Sequence, residues 1–299
     1  MMNKGQKATI LVLMLLVAAV SFVSFEFLEG FTAEKKTKTV KEEAPELPVP
    51  AGVPEIVNFT LVGSDARPDE ESGRSDSLMI GQYNRRTKQP KLISIMRDSY
   101  VDIPEYGKDK INAAYFYGGM PLLEETLKDN FQVKTPYYIS MTFDKFVDCI
   151  NDLFPKGVTI DAQESFELDG VTIEKGKQQM DGNTLLQYSR YRGDGEGDFG
   201  RITRQQQVVK ALCEQSKGIT TLMKLPKTIG KLMGSMDTNI PNTVLIACGL
   251  DFIKGVEKPV ETLSIPIEDS WSYNDDTPAG SVLEIQLDKN QQAIADFLK

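Results

Sequence analysis

The chain has 299 residues, 40% of them apolar and 26% charged, which is enough for one or two globular domains with a sizeable core. It carries 43 acidic against 34 basic residues, a formal charge of −9, which argues against a general nucleic-acid binder. It contains no histidine, so a Ser-His-Asp triad, a Cys-His pair, a histidine-rich zinc site and a histidine proton shuttle are excluded.

Residues 8–25 form an uncharged run preceded by Lys4 and Lys7. At ~1.5 Å per residue the run measures ~27 Å, close to the hydrocarbon thickness of a bilayer. Lysines on its N-terminal side put residues 1–7 in the cytoplasm and the bulk of the chain outside. A membrane anchor over 8–28 is the expectation; a cleaved signal peptide is the alternative, and both export the same domain. Residues 29–55, rich in Lys, Glu, Thr and Pro, read as a semi-stiff linker.

From 56 onward the pattern predicts one domain to residue 299. Alternation predicts strands over 56–62, 77–83 and 91–96, with a turn at 84–88 whose Arg85 and Arg86 are solvated charges. Helices are predicted over 120–130 and 143–154, and short strands over 158–161 and 166–168. Asp181 caps a helix running to 190. A glycine-rich stretch, 192–201, precedes a helix over 202–216, and a last helix covers 290–299. Strands alternating with helices predict a single mixed α/β domain with a central sheet flanked by helices. Cys149, Cys213 and Cys248 are too few for a disulfide framework and read as buried small hydrophobes, although one pair could bridge.

All nine arginines lie between Arg67 and Arg204, whereas lysines are spread throughout. Asp65, Arg67, Arg74 and Asp76 flank the ends of apolar strands; the aspartates are hard oxygen donors suited to Mg²⁺, or else turn residues. Arg97-Asp98 closes the apolar run 92–96, and adjacent full charges there need partners if buried. Lys110 is a surface lysine unless it joins them. Arg190 and Arg192 alternate around Tyr191 and would point the same way in extended chain. Arg201 and Arg204 share a helical face with Gln205 beside them. Four arginines within fifteen residues need anions. Either Asp194, Glu196 and Asp198 supply them, or guanidinium forks clamp a phosphate bidentately. The chain has no Walker A motif and no Ser-x-x-Lys.

These pieces resemble the LytR-CpsA-Psr family of cell-wall glycopolymer ligases. The matching motifs are Leu61-Val-Gly-Ser-Asp-Ala-Arg67, Gly73-Arg-Ser-Asp76, Ser94-Ile-Met-Arg-Asp98, Lys110-Ile-Asn-Ala-Ala-Tyr115, Tyr188-Ser-Arg-Tyr-Arg192, Gly197-Asp-Phe-Gly-Arg201 and Arg204-Gln-Gln206, in the family's order across 60–215. Met96 departs from a common proline, and Ser77 from a common threonine. The resemblance implies an exported, single-pass domain of a Gram-positive-type envelope with a hydrophobic groove for a polyprenyl chain. It implies transfer of a glycopolymer (teichoic acid, capsule or other wall polysaccharide) from polyprenyl pyrophosphate to a peptidoglycan acceptor. It makes Asp65 and Asp76 ligands of Mg²⁺ or Mn²⁺, and Arg74, Arg97, Arg190, Arg192, Arg201 and Gln205 the pyrophosphate set. Asp198 is then a functional aspartate, Lys110, Arg204 and Arg67 supporting members, and Asp98 a candidate base. Pyrophosphate hydrolysis and non-catalytic lipid-phosphate binding by an envelope regulator are the rival activities.

Overall fold

The computed structural model describes residues 52–64, 75–216, 230, 234, 236–253 and 258–299. The expected anchor, most of the linker and the stretch holding Asp65, Arg67 and Arg74 lie outside them. Among the described residues, no helix is long and apolar enough to cross a membrane.

A six-stranded mixed sheet forms the centre. Strands β1 (Ile56–Ser64), β2 (Ser75–Asn84) and β3 (Gln89–Ile95) make an antiparallel meander. Further strands are β4 (Ser99–Ile103), β5 (Gly107–Lys110) and β6 (Tyr137–Thr142), then β7 (Val158–Ala162), β8 (Phe166–Leu168), β9 (Val171–Ile173) and β10 (Gly176–Met180). The chain's last strands are β11 (Asp237–Thr238), β12 (Glu261–Ile265), β13 (Trp271–Asn274) and β14 (Val282–Ile285). The central order is β11-β6-β1-β2-β3-β12, with β6 and β12 joining in parallel. A second sheet, β13-β14-β4-β5, begins where β3 ends.

The period of two decides which residues face which layer. Val62, Leu78, Ile80, Ile93 and Ile95 point to one face and are at most 3% exposed. Helices α1 (Ile111–Phe131) and α6 (Leu287–Leu298) cover them. Leu123, Leu127 and Phe131 of α1 are at most 1% exposed, each worth about 1.5–3 kcal/mol of burial. Leu61, Met79 and Leu92 point to the opposite face, against Val209 of α4 (Asp198–Gln215). A smaller core joins α2 (Phe143–Leu153), α3 (Gly182–Arg190) and α4 to β7 and β10. Helix α5 (Asn242–Ile253) packs Val244 against Val57 at the β1 end.

Helix α1 starts nine residues before the expected 120, but Gly118 and Gly119 are non-helical within it, Gly119 at φ 61°. Those glycines and Pro121 hid the first two turns from the sequence pattern. Helix α4 likewise starts at Asp198, inside the glycine-rich stretch, because Gly197 adopts φ 58° and turns the chain into the helix. Asp181 caps α3 as expected, accepting the Thr184 amide at 2.8 Å. The three cysteines are all thiols, so no pair bridges. Burial, with Asp152 and Asp148 nearby, pushes the Cys149 thiol up to about 12.

Candidate functional site

Four chain segments converge under the sheet face opposite α1. The start of β2 supplies Asp76, and the end of β3 supplies Arg97. The first turns of α4 supply Asp198, Arg201 and Gln205, and the segment leaving α3 supplies Arg190 and Arg192. Asp198 is the centre of the group: its carboxylate meets Arg201 at 2.7 Å, Arg192 at 3.4 Å and Arg97 at 3.9 Å. Arg97 also donates to Asp76 at 2.5 Å, and Ser77 donates to Gln205 at 3.3 Å. Three guanidiniums thus share two carboxylates.

The arginines are not fully satisfied. Arg201 is 3% exposed, and the buried Nε atoms of Arg97 and Arg201 have no hydrogen-bond acceptor. Burial pushes the Arg201 guanidinium down to about 10, and Arg192 and Arg97 act in the same direction against Asp198 and Asp76. Like charges crowded on a cavity lining form a place where an added anion is stabilised. The N-terminus of α4 adds its dipole to that field.

A cavity of about 740 Å³ opens from this cluster and runs between the sheet and helices α2, α3 and α4. Asp76, Arg97, Arg192, Arg201 and Gln205 form its polar end, while Leu61, Met79, Ile139, Phe146, Val208 and Val209 line its depth. The volume and mainly apolar walls suit a ligand with one charged end and a long hydrocarbon body. Sequence periodicity marked α2 only as a helix and did not place β6. Their apolar side chains become cavity wall because α3 and α4 stand away from the sheet there.

The remaining expected residues take other places. Arg190 ends α3 rather than extended chain, so it does not alternate with Arg192; it lines the cavity but pairs with Asp169 at 2.8 Å and lies over the Phe143 ring at 5.4 Å. Arg204 turns away from Arg201. It binds Asp194 and the Tyr191 carbonyl, with its guanidinium 5.1 Å from the Tyr191 ring, and so pins the 191–197 loop onto α4. Burial works to raise the Asp194 pKa. The Arg204 hydrogen bond and charge, with the amides of Glu196 and Gly197, outweigh it and hold the carboxyl below its usual range. Asp98 sits outside the cavity lining, bound to Lys110 at 3.0 Å and 3.7 Å from Arg97. Arg86 is a 76% exposed turn charge as expected. Arg85 is not: with Lys88 it grips Asp251 at 2.8 Å, tying the β2–β3 turn to α5.

Asp76 is the described member of the expected metal pair. Among the described residues, no group of three or more acidic or cysteine side chains gathers as a protein-only metal site. A carboxylate beside an arginine cluster is the donor type Mg²⁺ accepts where phosphate oxygens and water complete its shell.

A family model described as the LytR_cpsA_psr family matches residues 23–294. The chain belongs to the LytR-CpsA-Psr family. Regulatory protein MsrR of Staphylococcus aureus strain COL is 42% identical over 244 residues, spanning 81% of this chain and 74% of its own. TagU of Bacillus licheniformis, named a polyisoprenyl-teichoic acid–peptidoglycan teichoic acid transferase, is 34% identical over 182 residues, spanning 60% of this chain and 58% of its own. The crystal structure of Bacillus subtilis TagV superposes with a TM-score of 0.69 at 28% identity, covering 82% of this chain and 97% of that one. The mixed α/β domain with a helix-flanked central sheet is the LytR-CpsA-Psr fold.

Proposed function

We propose that the chain is a membrane-anchored phosphotransferase that moves a teichoic acid, or a capsular or other wall polysaccharide, from polyprenyl pyrophosphate to peptidoglycan. One observation carries the reading: the guanidinium residues Arg97, Arg192 and Arg201 gather on the lining of a largely apolar 740 Å³ cavity. A polyprenyl pyrophosphate has that same order of charge and hydrocarbon. The named activity of TagU supports a transferase acting on a polyisoprenyl-linked polymer.

In this reading the acceptor's sugar hydroxyl attacks the distal phosphorus. The bond from that phosphorus to the bridging oxygen breaks, and polyprenyl phosphate leaves with the electron pair. Arg97, Arg192 and Arg201 stabilise the charge growing on the phosphoryl oxygens, as phosphoryl transfer requires. Asp98 accepts the hydroxyl proton: Asp198 is bound by three guanidiniums, whereas Asp98 meets two cations, Lys110 at 3.0 Å and Arg97 at 3.7 Å. Asp76, with Asp65, would hold Mg²⁺, which supplies further neutralisation of the phosphates. Residues 8–28 anchor the domain on the outer face of the membrane.

Arg97→Ala and Arg192→Ala are expected to abolish transfer from labelled lipid pyrophosphate to peptidoglycan fragments while the fold persists. Near-normal transfer in both variants sinks the assignment. Release of free phosphate-terminated polymer at equal rates with and without acceptor identifies a hydrolase instead.

A further inference from the structure

The charged cluster has a second neighbour besides the apolar cavity. Phe199 follows Asp198 directly, and its ring lies 4.8 Å from that of Trp271. Trp271 meets Tyr273 edge to face at 5.1 Å. Trp271 and Tyr273 are two apart on β13, so they share one face of the four-stranded sheet. Tyr273 is 66% exposed, the most exposed large hydrophobic residue among those described.

The sheet itself is tied to the cluster. The Leu283 amide donates to the Asp98 carbonyl at 2.9 Å. Leu283 pairs with Ser99 on one side and with Tyr273 on the other. Tyr273 therefore stands two strand spacings, about 10 Å, from the backbone beside Arg97 and Asp98. Phe199 and Trp271 also pack on the buried Met96, Ile202 and Leu283, which fixes the rings before any ligand arrives. Phe199 and Trp271 are half-buried and serve the core with one side, while Tyr273 at the edge strand is exposed and presents its ring to whatever passes the arginines.

We propose that Phe199, Trp271 and Tyr273 form a glycan subsite that stacks the first sugars of the donor. This rests on the phosphotransferase reading above. The surface runs in the order apolar cavity, guanidinium cluster, aromatic shelf. A lipid-linked donor runs in the order hydrocarbon, pyrophosphate, sugar. One molecule laid through the site matches all three, and the apolar C–H faces of pyranose rings suit exposed aromatic rings. The subsite positions the sugar-bearing phosphorus; it takes no part in bond making.

The chain has a single tryptophan, so its emission reports on this shelf alone. The test uses the full chain in detergent and three probes: polyprenyl pyrophosphate carrying an N-acetylhexosamine disaccharide, the same lipid pyrophosphate without sugar, and a soluble muropeptide. The disaccharide-lipid is expected to shift and quench Trp271 emission, and the other two to leave it unchanged. Tyr273→Ala, at an exposed position, is expected to weaken the disaccharide-lipid about tenfold, while binding of the sugar-free lipid, followed by radiolabel, stays the same. Equal losses for both lipids, or no emission change when the disaccharide-lipid binds, overturn the subsite. A response to the muropeptide alone overturns it in favour of an acceptor surface. Failure of the parent chain to bind either lipid overturns the phosphotransferase reading itself, which the radiolabel reports separately.

Discussion

Replacing Asp198 by Asn asks whether the arginine cluster is built around an anion. The variant keeps the shape of the side chain and removes one negative charge from the first turn of α4. In the parent that carboxylate meets Arg201 at 2.7 Å, with side chains 4% and 17% exposed, so solvent screens the pair little. Taking one partner from such a pair costs about 3–5 kcal/mol. Arg192 is 39% exposed and its contact counts as a surface pair, at most about 1 kcal/mol. The Asn oxygen still accepts from Arg201, which offsets about 1 kcal/mol. A net loss of about 3 kcal/mol follows, or roughly 6–12 °C in melting temperature for a domain of this size. Inorganic pyrophosphate at about 100 times its Kd restores about 2.7 kcal/mol to any site it occupies. It is expected to help the variant more than the parent, because the competing carboxylate is gone. The assay is thermal unfolding at low salt in phosphate-free buffer, with and without pyrophosphate. A variant as stable as the parent without pyrophosphate, or identical pyrophosphate increments in both, refutes the reasoning.

Three further outcomes are expected. A Cβ at Gly200 would lie 2.0 Å from Asp194 Oδ2, so Gly200→Ala should push Asp194 off Arg204 and release the 191–197 loop. It should lower transfer at least tenfold with a stability loss of about 1–3 kcal/mol, read by transfer rate and unfolding together. The Asp194 carboxyl is held below its usual range when folded, so its contribution to stability is present above the unfolded pKa of about 3.9 and fades as pH falls through the lower folded value. Asp194→Asn should flatten the acid limb of a stability–pH curve measured between about pH 5 and 2; an unchanged limb means the latch carries no such linkage. Met141 lines the cavity, and Met141→Trp should raise KM several-fold for a long polyprenyl donor and leave a short-chain pyrophosphate donor unaffected, as competing-substrate kinetics will show.

The elements that sequence patterning placed well are those whose faces differ. Strands β1 to β3 alternate because one face meets α1 and the other meets α4, and α3 announces itself through Asp181. Two helices were placed with late starts because of special backbone conformations, α1 interrupted at Gly118 and Gly119 and α4 entered through Gly197, and β6 and β12 were not placed. The second sheet was illegible because β4, β5, β13 and β14 are four or five residues each, and its two local hairpins join only through β14 and β4, more than 180 positions apart. In the site, residue types were legible and their partners were not. The sequence alone left open whether Asp194 and Asp198 serve as counterions or whether the arginines clamp a phosphate. The structure divides the roles: Asp194 takes Arg204 out of the cavity to hold the loop, and Asp198 sits among the arginines that face it.

That division explains how an acidic chain keeps a cationic pocket. Uncompensated guanidiniums at a buried helix start would repel one another and destabilise the fold. Full compensation by carboxylates would leave nothing to bind a phosphate. Here Asp76 and Asp198 hold Arg97, Arg192 and Arg201 in place, three guanidiniums to two carboxylates, with all three arginines on the cavity lining. The donors are therefore fixed before substrate arrives, which is the condition for stabilising charge in a transition state without reorganisation. The chemistry then depends on fixed positive charge rather than on a group that titrates near neutral pH. A chain without a single histidine can perform it, and the net charge of −9 describes the chain as a whole rather than the site.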